Sequence, residues 1–296
     1  MSYVLLILSS LFWGGNYVLG KYLVVSAPSL TLTSLRWLVA VVLLIPIVWI
    51  RERQLWPPRQ AWPSLIIMGL TGALLFNIFM FMAVRRTSSD DAGLISTLNP
   101  VAIAMVAYLV LKTRINWKQV LAMAVSFAGV LVVVSGGQWQ VLERMHFNPG
   151  DWYMLLSVAA WGIYSVAGRV AMRSVSPLLA TLWMGIISLA VTLPANIATG
   201  LQLHGLHADF WWSVLYVGVV ATVLAMAFWN MGVKQVGATL SGIFLNFTAV
   251  FTAILAYLFF HESLSLAQSL GMVLVIGGVT IFTLVRSPAA VTRQAA

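Results

Sequence analysis

The sequence contains no cysteine, which excludes disulfides, thiol nucleophiles and Cys-ligated metals. Charge is scarce: 8% of the 296 residues are Asp, Glu, Lys or Arg, against roughly 25% in soluble domains. Seven are acidic, Glu52, Asp90, Asp91, Glu143, Asp151, Asp209 and Glu262, and all fall in loops or at the ends of apolar runs. His146, His204, His207 and His261 are peripheral as well. Proton relays place Asp, Glu or His inside the membrane, so a buried carboxylate relay is not expected. There is no HExxH, GxSxG or Walker A pattern and no intramembrane His–carboxylate pair. The chain is therefore not expected to be an enzyme, and no cofactor or metal is expected.

What is present is apolar. Hydrophobic residues make up 61% of the chain and the mean hydropathy is +0.97, which excludes an ordinary water-soluble globule. Helices that cross a bilayer need about 20 apolar residues. Ten such runs are predicted, at 3–25, 29–50, 62–84, 91–111, 117–135, 152–173, 177–199, 210–231, 238–260 and 266–285. Without water for unpaired amides, each must be a helix. The first run lacks a basic flank and a cleavage site, so it reads as a retained span rather than a signal peptide.

The net charge of +9 is scattered between apolar runs, so a nucleic-acid partner is not expected. With a cytoplasmic N-terminus, Arg51, Arg53, Arg59, Lys112, Arg114, Lys118, Arg169, Arg173, Lys234, Arg286 and Arg293 lie inside. Lys21, Arg36, Arg85, Arg86 and Arg144 lie outside. Positive charge favours the cytoplasm, so both termini are expected there. Trp49, Trp56, Trp62, Trp117, Trp139, Trp152, Trp211 and Trp212 fall near span ends and read as an interfacial belt.

The chain repeats itself. A shift of 148 aligns "LSSLFWGGNYVLGK", Leu8 to Lys21, with "LSVAAWGIYSVAGR", Leu156 to Arg169, with six identities in fourteen. A shift of 149 then aligns Met82–Arg85 with Met231–Lys234, Gly93 with Gly242 and Ala107–Leu109 with Ala256–Leu258. Gln119, Gly129 and Val130 meet Gln268, Gly278 and Val279. Each half, 1–140 and 141–296, carries five spans. An odd number sends the second half in from the opposite face. The predicted fold is all-α and integral to the membrane: ten helices as two inverted five-helix repeats around a central cavity. Such an arrangement can open one central site to each side in turn.

"MAVRRTSSDDAGLISTLNPV" with "INWKQVLAMAVSFAGV", and "MGVKQVGATLSGIFLNFTAV" with "HESLSLAQSLGMVLVIGGV", resemble the drug/metabolite transporter superfamily, specifically its ten-span EamA-type exporters. The resemblance covers nearly the whole chain and is nearest to the aromatic-rich YddG-type amino-acid exporters. It implies a cavity lined by spans one, three, four, six, eight and nine. Two residues depart from the pattern: Thr113 replaces the acidic residue after span four, which Glu262 keeps in the second half, and Pro100 is matched by Ala249.

Buried amides must face protein or water. Asn16, Asn77, Asn99, Asn196, Asn230 and Asn246 are either interhelical glue, worth about 0.6 kcal/mol each, or solute contacts; Asn196, near a span end, leans to glue. Helical spacing groups Trp13, Asn16 and Tyr17 with Gly20, and Trp161, Tyr164 and Ser165 with Gly168, on matching faces. Asn77, Met80 and Phe81 share a face of span three, and Ser96 and Asn99 one of span four. Met226 with Asn230, and Gly242 with Asn246, do so on spans eight and nine. These fifteen residues, Gly20 and Gly168 apart, are the candidate solute site. The aromatics serve equally as packing, and the glycines as close-approach points or bends. Pro46, Pro100 and Pro194 are candidate kinks. Arg36 either attracts a carboxylate or snorkels to the interface, and snorkelling is favoured.

The expected function is secondary transport, facilitative or exchanging, that exports amino acids, aromatic or large apolar ones preferred. The alternative is export of drugs or other small metabolites. The expected setting is the bacterial inner membrane, with lipid and a small solute as partners, as a monomer or homodimer.

Overall fold

The computed structural model describes residues 1–87, 89–138, 140, 148–200, 207–260 and 264–285, without the side chains of 17–22, 24, 89–91, 94 and 260. The described elements are helical. We name them α1 (Ser2–Ser26), α2 (Ser29–Glu52), α3 (Arg59–Val84), α4 (Ser89–Ser96 with Asn99–Leu111), α5 (Trp117–Ser135) and α6 (Pro149–Ala171). The remainder are α7 (Pro177–Thr199), α8 (Ala208–Val236), α9 (Ala238–Ile243 through Phe247–Phe260) and α10 (Leu266–Leu284). Among the described residues, eight helices, α2, α3 and α5–α10, are long and apolar enough to cross a membrane, and Asn99–Leu111 is a shorter apolar helix. Exposed side chains such as Leu258, Leu270 and Val273 present the apolar surface a lipid-facing exterior needs.

Polar caps set the helix starts. Asn116 accepts from the Gln119 N–H while the Gln119 side chain accepts from Asn116 N–H, and Ser265 and Gln268 repeat this on α10. Asn148 and Asp151 cap α6 in the same way. Each such cap is worth about 1 kcal/mol. Asp151 is buried, but at the helix end, where Thr87 donates to it at 2.7 Å.

Two helices carry widened turns with i→i+5 bonding, Gly69–Leu75 in α3 and Tyr216–Leu224 in α8. Such turns occupy well under 1% of residues in proteins and leave carbonyls for side chains to claim. Asn77 Nδ2 donates to Gly72 O and Ala73 O, and Thr222 Oγ1 to Val217 O. The fourth and ninth helices are also interrupted, at Thr97–Leu98 and by a tight turn at Phe244–Asn246. Pro100 is no kink: it sits in the first turn after the break, where its missing N–H costs nothing. Pro46 and Pro194 lie inside α2 and α7.

Helices α1 and α6 each pack against helices of the other half of the sequence. Helix α1 packs on α8 and α9, and α6 on α3 and α4. Ser9 Oγ donates to Ala225 O at 3.0 Å, and Ser157 Oγ to Phe76 O at 3.1 Å; donors and acceptors are 148 and 149 positions apart. Gly14 abuts Phe251 as Gly162 abuts Ala102. Gln119 Nε2 reaches Val285 O at 3.2 Å, and Gln268 Nε2 reaches Val133 O at 3.4 Å. Helices α5 and α10 therefore run antiparallel, start to end. So do α2 and α7: Thr31 donates to Asn196, Trp37 packs on Gly185, and Ser176 meets Glu52.

Asn196 is glue. It accepts from Thr31 at 2.8 Å and donates to Ser34 Oγ at 2.6 Å and to Thr192 O at 2.9 Å. Trp49, Trp56, Trp117, Trp152, Trp211 and Trp212 are exposed near helix ends, and Trp139 lies outside the described residues.

Candidate solute site

The middle of the bundle is a cluster of rings. Trp13 of α1 stands edge-on to Trp161 of α6, with centroids 5.2 Å apart, and both meet Trp229 of α8, at 5.6 and 5.8 Å. Phe76 and Tyr164 close on Trp161 at 4.6 and 4.8 Å. Trp13, Trp161, Trp229 and Tyr164 are all buried. The Tyr164 ring lies against α3 only because position 72 is glycine, since a Cβ there would collide with it. Edge-to-face and offset contacts of this kind add about 0.5–1.5 kcal/mol per pair beyond area burial.

The polar atoms around these rings are not treated alike. Trp13 Nε1 donates to Ala221 O at 2.9 Å, in the widened turn of α8. Tyr164 Oη donates to Asn230 Oδ1 at 2.9 Å, and Asn230 Nδ2 donates to Thr181 Oγ1 at 2.9 Å. Met226 Sδ lies 3.6 Å from the same hydroxyl. By contrast, Trp161 Nε1 and Trp229 Nε1 are buried and have no acceptor among the described residues. Leaving one such donor unpaired costs about 1–3 kcal/mol.

The other candidates divide among separate sites. Ser165 Oγ donates back to Trp161 O at 2.8 Å, and Asn16 is buried on α1 beside this cluster's face. Tyr17's side chain lies outside the described residues. Ser96 Oγ turns to Gly93 O at 2.6 Å. Asn99 and Asn246 sit at the two helix interruptions, each with a buried Oδ1 that has no donor among the described residues; Asn246 Nδ2 donates to Ser126 at 2.8 Å. Gly242 lets Ile103 approach α9.

Asn77, Met80 and Phe81 belong elsewhere. Asn77 Oδ1 accepts from Arg36 Nη1 at 2.7 Å. Arg36 Nε donates to Thr222 Oγ1 at 2.6 Å, and Nη2 to Ala221 O at 3.3 Å. Arg36 is 3% exposed, so it turns inward rather than snorkelling. Neutral oxygens 41 and 186 positions away hold it, and hydropathy cannot register them. A small pocket beside it is lined by Leu23, Leu32, Phe81, Val214 and Val217, and Met80 packs in that same apolar cluster.

Trp229 and Thr222 escaped the sequence reading. Trp229 carried a usable signal: it is three residues after Met226 and next to Asn230, so all three share a face. Nothing local marks Thr222. Among the described residues no three His, Asp or Glu stand together to hold a metal.

The pattern of the EamA-like transporter family matches residues 1–135 and, again, residues 148–284. This chain belongs to the EamA-like transporter family. It is a transporter and not an enzyme. An uncharacterized transporter, YyaM, of Bacillus subtilis (strain 168) is 30% identical over 99% of this chain and 97% of its own length. The S-adenosylmethionine/S-adenosylhomocysteine transporter of Chlamydia trachomatis is 26% identical over 48% of this chain and 44% of its own. A solved crystal structure superposes with a TM-score of 0.78 at 22% identity, covering 96% of this EamA-like chain and 98% of the other. That likeness gives the fold.

Proposed function

We propose that this EamA-like transporter is built from two inverted five-helix halves, 1–140 and 141–296, and exports amino acids across the bacterial inner membrane by alternating access. Ten spans are counted when α1, of 25 residues, and the two-part α4 join the eight long apolar helices. The observation that carries the architecture is the paired bond set. Ser9 to Ala225 O and Ser157 to Phe76 O are the same contact made twice, once from each half to the other. The twin widened turns, the two interrupted helices, the antiparallel α2/α7 and α5/α10 pairs and the double family match support it as well. Two similar bundles that each clasp the other can rock about a shared centre.

The solute class follows from what meets at that centre. Indole and phenol rings suit an apolar or aromatic side chain. Orphaned donors there, the two indole N–H groups, suit a solute with an accepting oxygen, and two amide oxygens without donors among the described residues stand apart at the helix interruptions. An aromatic or large apolar amino acid, as in the YddG-type exporters, fits both demands. The Chlamydia relative's named solutes are a second reading: they too join an α-amino-acid head to a flat ring. Export of other small metabolites or drugs is the remaining alternative.

Purified protein in proteoliposomes preloaded with phenylalanine is expected to accumulate labelled phenylalanine, tryptophan or methionine by counterflow, with saturation and trans-stimulation. Exchange of none of these above empty vesicles, with S-adenosylmethionine exchanged instead, would move the assignment to the second reading. The topology predicts that accessibility tags after Ser2 and near Phe147 report opposite faces of the membrane. Labelling of both from one side would remove the inversion and alternating access with it.

A further inference from the structure

We infer that the indole N–H groups of Trp161 and Trp229 receive a hydrogen-bond-accepting oxygen of the carried solute, a carboxylate or carbonyl, making them the acceptor-recognition half of the solute site. The inference deepens the transport reading and rests on it. Its first support is selective neglect. Within one ring cluster, Trp13 Nε1, Tyr164 Oη and Asn230 Nδ2 all have partners within 3 Å, yet the N–H groups of two fully enclosed indoles have none among the described residues. Phenylalanine would fill much of the same space without stranding a donor, so packing alone does not account for tryptophan at both positions.

The second support is a broken correspondence. Trp13 and Trp161 lie 148 positions apart, and Trp13 donates to Ala221 O in the widened turn of α8. The matching carbonyls in the widened turn of α3 accept from other side chains. Trp37 Nε1 donates to Ala73 O at 3.0 Å, and Asn77 Nδ2 to the same oxygen at 2.9 Å and to Gly72 O at 3.3 Å. Trp161 has thus lost the role its counterpart keeps. Trp229, with Met80 at the corresponding place in the first half, is an indole added to one side alone.

The two rings come from α6 and α8 with centroids 5.8 Å apart, and a carboxylate has two oxygens with about four lone-pair sites to offer such donors. Neutral donors also suit a carrier. They hold an anion in a dry site without the strong pairing that a guanidinium gives, and so let it leave.

The test uses the full-length protein labelled with 15N-indole, in lipid nanodiscs, with the two N–H resonances assigned by their loss in Trp161→Phe and Trp229→Phe. Phenylalanine and 3-phenylpropionate, which carry a carboxylate, are expected to shift both resonances downfield, whereas phenethylamine, which does not, leaves them in place. Replacing Trp229 with benzothienylalanine, whose sulfur stands where the N–H was, is expected to weaken phenylalanine binding about tenfold while the variant still elutes as one folded peak. Resonances unmoved by both carboxylates, or moved equally by phenethylamine, overturn the inference. Should counterflow of phenylalanine succeed without these shifts, the inference fails and the amino-acid reading stands. Should 3-phenylpropionate move the resonances while no amino acid is exchanged, the reverse holds.

Discussion

Gly278→Leu is expected to yield almost no monodisperse protein, while Gly277→Ala, one residue away, leaves yield and melting temperature unchanged. A Cβ at Gly278 would stand 2.6 Å from Ser126 N and 2.8 Å from Ala122 O, whereas at Gly277 nothing lies within 4 Å. The obstructing atoms are backbone and cannot rotate aside. Gly129 and Gly271 make the same approach from both sides, each with a Cβ position within 2.8 Å of backbone in the facing helix. Overpacking a core ordinarily costs 1–3 kcal/mol, because side chains shift to absorb it. Here α5 and α10 must separate bodily and give up both end-to-end glutamine bonds. Between helices in lipid, close packing is the main source of association, so the loss is not made up elsewhere. Fluorescence-detected size exclusion reads the outcome, and a Gly278→Leu peak matching the parent in height and position would show that this contact is dispensable.

Arg36→Met is expected to reduce counterflow about tenfold or more while lowering stability by only about 1–3 kcal/mol. The split follows from what each acceptor keeps. Ala221 O retains Trp13 Nε1, and Thr222 Oγ1 still donates to Val217 O. Asn77 Oδ1, among the described residues, accepts from Arg36 alone. Stability therefore falls by roughly one unsatisfied buried amide, and Asn77→Leu in the same chain is expected to recover most of it. Transport suffers more, because the guanidinium ties α2 and α3 of the first half to the widened turn of α8 in the second. Arg36→Lys is expected not to restore transport, since a point charge cannot reproduce the planar fork. Detergent-solubilised melting curves and proteoliposome counterflow separate the two effects. Equal losses in both would reduce Arg36 to a structural residue.

The helices themselves were legible because burial in lipid demands length and apolarity of each run on its own. Spans 117–135 and 177–199 coincide with α5 and α7, and the charges at Arg51, Lys112 and Arg169 mark real ends. What was illegible depends on partners far away. The widened turn at Gly69–Leu75 reads in sequence as ordinary helix, because its register is set by what Asn77, Trp37 and Tyr164 do with its carbonyls and its missing side chain. Arg36 looked like a residue on its way to the interface because the acceptors on α3 and α8 that turn it inward lie 41 to 186 positions away. In the candidate site, Trp13, Trp161, Tyr164 and Asn230 meet in one cluster. Asn77 and Phe81 share a helix face with a different cluster, a distinction that depends on the turn of α3 and not on periodicity.

Trp37 and Gly185, 148 positions apart, are seated on each other: a Cβ at 185 would meet the indole at 2.6 Å. One large partner and one absent side chain share a space that holds a single ring. A chain assembled from two copies of its own N-terminal portion would press indole on indole there, and one assembled from two C-terminal portions would leave a hole. The seat takes one ring and one bare backbone, so Trp37 and Gly185 cannot exchange places.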